Sequence, residues 1–153
     1  IRFSRSATPV FTTSDTPFVI GKATMLWKSD APKVAILSTG SLGYAALTAA
    51  RALSEKGIES IVLHVPTIKP LDEEVVLAAA KLAGRVVTVE EHQAAGGFGS
   101  AVAEFLSQNH PVPMRLLGIA DQFGQSGSPD ELLAHYGLDA LHIEEAARAF
   151  VRI

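Results

Sequence analysis

The chain has 153 residues, 48% of them hydrophobic and 19% charged, with a net charge of −3. That is the composition of one folded domain able to bury roughly two-thirds of its unfolded surface, and its acidic balance, without any Lys/Arg cluster among aromatics, argues against a nucleic-acid surface. The absence of cysteine excludes disulfides and thiolate metal sites, and no run reaches the roughly 18–20 apolar residues that cross a bilayer, so no membrane partner is expected.

Residues 1–21 read differently from the rest. Ile1 to Ser4 has the pattern of the end of a strand, and Ser6 to Pro17 is a Ser/Thr/Pro-rich linker with no helical period. Gly21 to Lys28 is expected to form a short strand. Val34-Ala35-Ile36-Leu37 is a continuous apolar run, the mark of a strand covered on both faces. Ser41 to Lys56 follows as a helix, with Leu42, Ala45, Ala46, Ala49, Ala50 and Leu53 on one stripe and Gly57 as its stop. Then come a strand from Ser60 to Val65, a helix from Leu71 to Leu82, a strand from Arg85 to Glu90, a helix from Phe98 to Ser107 and a strand from Met114 to Leu117. Two short helices, Pro129–Tyr136 and Leu141–Val151, complete the chain. The alternation predicts a three-layer α/β fold: a mainly parallel five-stranded sheet with helices on both faces and right-handed crossovers.

Five groups of residues invite a chemical reading. Thr39-Gly40-Ser41-Leu42-Gly43 lies where a strand hands over to a helix, a common phosphate position. It lacks the third glycine of a dinucleotide loop, and the second strand ends in Leu63-His64-Val65 without a ribose-binding acid. An N-cap by Thr39 or Ser41 is the expected role. Glu90-Glu91-His92 closes a parallel strand at the edge where open α/β sheets carry function. By alternation Glu90 and His92 face one way and Glu91 the other, which leaves too few ligands for zinc. Gly96-Gly97 then permits close backbone approach. Glu90, Glu91, His92, Gly96, Gly97 and Phe98 are therefore expected at a subunit interface, with a purely structural turn or acid/base chemistry as the alternatives.

Gly124-Gln125-Ser126-Gly127-Ser128 is not a nucleophile elbow, which needs G-x-S-x-G after a strand, and reads as a loop before the helix at Pro129. His64, His110, His135 and His142 show no supportive pairing and read as surface or packing residues. Arg2 and Arg5 have the side chain best shaped to clamp a phosphate with paired hydrogen bonds, although spacing alone leaves a solvated basic spot as the simpler reading.

Val87-Thr88-Val89-Glu90-Glu91-His92-Gln93-Ala94-Ala95-Gly96-Gly97-Phe98-Gly99-Ser100, with Gly118 to Gly127, strongly resembles the C-terminal domain of transketolases. Ile68-Lys69-Pro70-Leu71-Asp72 and the Glu90-to-Ser100 segment are also similar to deoxyxylulose-phosphate synthases and 2-oxoacid dehydrogenase beta chains. Asp121-Gln122-Phe123-Gly124-Gln125-Ser126-Gly127, followed by Leu132, Tyr136-Gly137-Leu138 and Ile143, resembles the transketolase form better. The compact style points to the small bacterial or split-subunit type.

The resemblance implies that residues 1–21 are the end of a preceding pyrimidine-binding domain plus linker, and residues 22–153 a transketolase C-terminal domain. A chain opening on Ile1-Arg2-Phe3 without an initiator Met fits a piece of something longer. The implied reaction moves a two-carbon ketol unit between sugar phosphates on thiamine diphosphate held by Mg²⁺. The family's Gly-Asp-Gly metal signature does not occur here and its activating glutamate lies upstream, so no catalytic residue, cofactor contact or metal ligand is carried over. One contact is: an arginine in the strand matching Ile1–Arg5 holds the substrate phosphate, with Arg5 the better match and Arg2 the second. The resemblance also implies upstream cofactor-binding domains, on the same or another polypeptide, as partner, together with a homodimer and a cytoplasmic location. The alternatives are the C-terminal domain of a synthase or dehydrogenase beta chain, or a stand-alone assembly domain.

Overall fold

The computed structural model describes residue 4 and residues 6–152. Residues 1–3 of the strand end predicted at Ile1 to Ser4, Arg2 among them, and Arg5 therefore fall outside the described residues. Strands β1 (Thr24–Lys28), β2 (Val34–Ser38), β3 (Ser60–His64), β4 (Val86–Gln93) and β5 (Met114–Ile119) form one sheet in the order β1-β3-β2-β4-β5. All neighbouring pairs are parallel except β1, which runs antiparallel to β3 along one edge. The helices are α1 (Gly43–Glu55), α2 (Glu73–Ala83), α3 (Phe98–Asn109), α4 (Pro129–His135) and α5 (Ala140–Val151).

The sequence explains the layering. In β2 every residue is buried, and the period of two sends Val34 and Ile36 to one face and Ala35 and Leu37 to the other. The first face packs on α1 and α5 through Ala46, Ala49, Leu53, Ile143 and Ala147. The second packs on α2 and α3 through Val76, Ala79, Phe98, Val102 and Leu106. Alanines on α1 and α2 bring those helices close to the sheet. Each contributes little apolar area, so the large buried side chains (Ile36, Leu37, Leu53, Ile61, Phe98) supply most of the burial energy, about 1.5–3 kcal/mol apiece. The three-layer α/β architecture expected from the sequence is the one observed.

The last packing element, α5, is pinned to the end of α1 by ions. Glu144 is 2% exposed, accepting from Lys56 Nζ at 2.7 Å and from Arg148 Nε at 2.9 Å. A buried carboxylate needs such partners, since an unpaired one is too costly to keep charged.

Candidate functional site

The chain begins its parallel sheet at β2, sends β3 to one side and β4 to the other, and so makes a topological switch point between β2 and β4. Open α/β sheets bind ligands in the crevice this opens beyond the strand C-termini. Here the crevice is bordered by Thr39–Leu42 and by Glu90–Gly97, and the protein fills it with its own groups.

Glu90 occupies the start of α3. Its carboxylate accepts from the backbone N–H of Phe98 at 2.7 Å and of Gly99 at 2.8 Å, and the side chain is 2% exposed. Those two donors belong to the first turn, which has no intrahelical acceptor, and the helix dipole favours an anion there. Gly97 is required by space and not by torsion. A Cβ there would collide with Glu90 Oε2 and the Gln93 carbonyl oxygen, while its φ is an ordinary −89°. Gly96 does use the left-handed region, at φ 73°, and its N–H donates to Ser100 Oγ at 2.9 Å.

Glu91 turns the other way, is exposed, and accepts from Ser41 Oγ at 2.5 Å, which ties the β2 and β4 ends together. Thr39 and Ser41 do not cap α1, contrary to the sequence expectation. The Thr39 hydroxyl donates to the Val65 carbonyl at 2.8 Å, Ser41 is engaged by Glu91, and α1 is entered through a 3-10 turn at Gly40–Leu42 instead. His92 is exposed, its Nδ1 3.2 Å from the Gln93 carbonyl. The alternation that placed Glu90 and His92 on one face fails because the β4–β5 register shifts between Val89 and Gln93.

The six residues expected at an interface therefore divide. Glu90 and Phe98 lie inside the domain, and Gly97 is packed beneath the Glu90 carboxylate. Glu91, His92 and Gly96 lie on the outer rim. Beside them runs the exposed loop 120–128. It is anchored by Asp121 N–H donating to Gln93 Oε1 at 3.0 Å and by Gln125 N–H donating to Tyr136 Oη at 2.9 Å, and it carries Phe123 at 96% exposure. The loop ends where α4 starts at Pro129, closed by a Ser128–Glu131 capping box, so the loop reading of Gly124–Ser128 holds.

At the β3 end the sequence reading missed a second cluster. Phe11, from the linker, stands edge-on to His64 with ring centroids 5.8 Å apart, and leans on Tyr44 at 6.4 Å. Burial pushes the His64 imidazole below its ordinary pKa, and its Nδ1 is buried without a hydrogen-bond partner among the described residues. A lone phenylalanine in a Ser/Thr/Pro stretch was the one available signal. Further on, Gly21 N–H donates to Thr67 Oγ1 at 3.1 Å and Ala23 N–H to Asp72 Oδ2 at 2.9 Å, anchoring the linker's end.

Residues 21–143 match the family model of the transketolase C-terminal domain. The chain belongs to the transketolase C-terminal domain family. It is 43% identical over 153 residues to one of the subunits of the apulose-4-phosphate transketolase of Phocaeicola vulgatus, covering 99% of this chain and 48% of that one. It is 42% identical over 134 residues to 1-deoxy-D-xylulose-5-phosphate synthase 1 of Geobacter sulfurreducens, covering 86% of this chain and 21% of that one. A solved split-gene transketolase, described as an inactive β4 tetramer, superposes with a TM-score of 0.89 at 39% identity, over 97% of this chain and 48% of that one. The chain thus spans less than half the length of each.

For this transketolase C-terminal domain the family implies thiamine diphosphate and a divalent cation, and the residues present do not fit them. No group of three His, Asp or Glu is placed to hold a cation among the described residues. A diphosphate approaching the switch point would meet the carboxylates of Glu90 and Glu91, the first already seated on the α3 donors.

Proposed function

We propose that the chain is the C-terminal portion of a transketolase, supporting thiamine diphosphate-dependent transfer of a two-carbon ketol unit between sugar phosphates without contributing a catalytic group. The observation that carries this is the 43% identity across 99% of the chain to a transketolase that is itself divided into subunits, in a domain whose switch-point crevice is filled by its own side chains. Cofactor and Mg²⁺ belong to upstream domains or a partner polypeptide, and a homodimeric assembly in the cytoplasm is the working arrangement. Glu91, His92 and Gly96 on the rim, supported from beneath by Glu90, Gly97 and Phe98, form the surface for assembly. Residues 1–21 end the preceding domain, residues 22–153 are the C-terminal domain, and Arg5, with Arg2 beside it, takes the substrate phosphate.

The second reading, a deoxyxylulose-phosphate synthase, is kept by the 42% identity to one such enzyme. Titration of thiamine diphosphate with Mg²⁺ by calorimetry tests both. This chain alone should give no binding heat, and its mixture with the upstream portion should bind and transfer a ketol unit from xylulose 5-phosphate. Turnover of pyruvate in that mixture instead favours the synthase, and tight cofactor binding by the isolated chain overturns both.

A further inference from the structure

The linker sends a ring into the domain at Phe11. Phe11 is half-buried while residues 6–10 and 12–15 are exposed. The slot it enters exists because residue 43 lacks a side chain: a Cβ there would lie 2.7 Å from Phe11 Cζ and 3.0 Å from His64 Nδ1. Gly43 has helical torsions, φ −57° and ψ −43°, so the backbone alone does not ask for glycine. Glycine weakens a helix relative to alanine, and what it leaves at the start of α1 is the space the ring fills. The far wall is the His64 imidazole, 5.8 Å from the Phe11 ring and at 88° to it, and Tyr44 flanks Phe11 at 6.4 Å.

This surround suits an uncharged imidazole. Nδ1 is buried and has no hydrogen-bond partner among the described residues, so a proton placed there meets no acceptor in a dry pocket. The atom also stands against the first residue of α1, at the positive end of the helix dipole. The neighbouring elements leave such a charge uncompensated. Strand β1 sets Thr24 opposite His64 and β2 sets Ser38 there, neither of them titratable. Helix α1 has no acid in its first turn and offers the phenol of Tyr44. In the linker Asp15 is exposed, and at its end Lys22 is paired with Asp72 at 3.6 Å. Burial holds the imidazole below its ordinary value of 6.5.

We propose that the Phe11–Gly43–His64 contact is a proton-operated latch: the linker is docked through Phe11 while His64 is neutral and is released when His64 takes a proton. Docking and protonation compete, so each weakens the other by the same factor. With the ring withdrawn, His64 meets water and titrates closer to its ordinary value; with the ring seated it titrates lower. Between the two values the undocked state binds more protons. Docking therefore has its full strength above 6.5 and weakens as pH falls from there through the docked value.

NMR of this chain tests the latch in the parent, in Phe11→Ala and in His64→Leu, from about pH 8 to about pH 5. Docking is read from Overhauser contacts between the Phe11 ring and the Gly43 α-protons and from backbone relaxation in the linker. Protonation is read from the His64 ring resonances. Across that range the docked-to-free ratio of the parent should fall about three- to tenfold, in step with the His64 titration. Phe11→Ala should free the linker at every pH and raise the His64 proton-binding constant by the same factor. His64→Leu should keep the linker docked throughout. Phe11 lies outside both core clusters, so its variant folds and a melting curve verifies this. An unchanged His64 titration in Phe11→Ala overturns the latch, as does docking that is insensitive to acid. Docking that tightens in acid overturns it in favour of a cation–π contact between imidazolium and ring. Acid release that persists in His64→Leu assigns the effect to another group and overturns it as well.

Discussion

Glu90 and Glu91 are neighbours with opposite roles, and burial decides which is which. Glu90 is enclosed and meets two otherwise unsatisfied amides, so its energy is that of charge-assisted hydrogen bonds in a dry place, worth about 1.5–3 kcal/mol each. A glutamine there keeps the shape but turns an NH₂ towards one of the two donors. Glu90→Gln should therefore lower unfolding free energy by about 2–3 kcal/mol in urea melts. Glu91→Gln, on the exposed side, should stay within about 0.5 kcal/mol. Equal stability of both variants would remove the helix-start role of Glu90. Neither outcome was legible in the sequence, where the two acids differ by nothing but position; the register shift in β4 decides which one turns inward.

Elements were more legible than residues, and for a physical reason. Strands covered on both faces must be apolar throughout, so Val34 to Leu37 and Ser60 to Val65 declare themselves. Boundaries failed where polar groups close an element from a distance. Strand β4 runs to Gln93 and not to Glu90, because Gln93 pairs with Ile119 beyond the register shift. Helix α2 starts at Glu73, two residues late, because Asp72 is held by Ala23 N–H. The ion cluster between α1 and α5 joins positions 88 apart, which no local pattern reveals. Burial opposes ionisation of Glu144, and the Lys56 hydrogen bond and charge, with those of Arg148, outweigh it, so the carboxyl sits below its ordinary range. Its pKa is then lower folded than unfolded, and between the two values the unfolded chain binds more protons. The stabilisation is complete above the unfolded value of about 4.5 and is lost as pH falls through the folded one. Lys56→Met should cost about 1–3 kcal/mol at pH 7, and the gap to the parent protein should narrow as denaturation is repeated below pH 4.5. Asp139, whose carboxylate accepts from His142 N–H at the start of α5, titrates in both proteins and cancels from the difference. A gap independent of pH would show that Lys56 acts through packing alone.

At the scale of the whole molecule, the stabilising core and the functionally suggestive segment are separate. Both core clusters draw on residues between Ala23 and Val151, and the linker contributes to neither. Among its exposed polar residues the linker also shows apolar ones outwards, with Val10 at 87% and Ile20 at 74% exposure. Its described ties to the domain before residue 21 centre on the Phe11 ring, and one aromatic contact of this kind is worth about 0.5–1.5 kcal/mol beyond its buried area. A protein trimmed of residues 1–17 should therefore unfold in one cooperative step, with a melting temperature lowered by no more than about 5 °C for a domain of this size. Calorimetry with circular dichroism checks both points. A drop beyond about 10 °C, or transitions that differ between the two probes, would mean that the linker belongs to the folding unit. The domain boundary near residue 22 would then have to move upstream. If the trimmed protein holds, the linker is free to serve another surface at small cost to the fold.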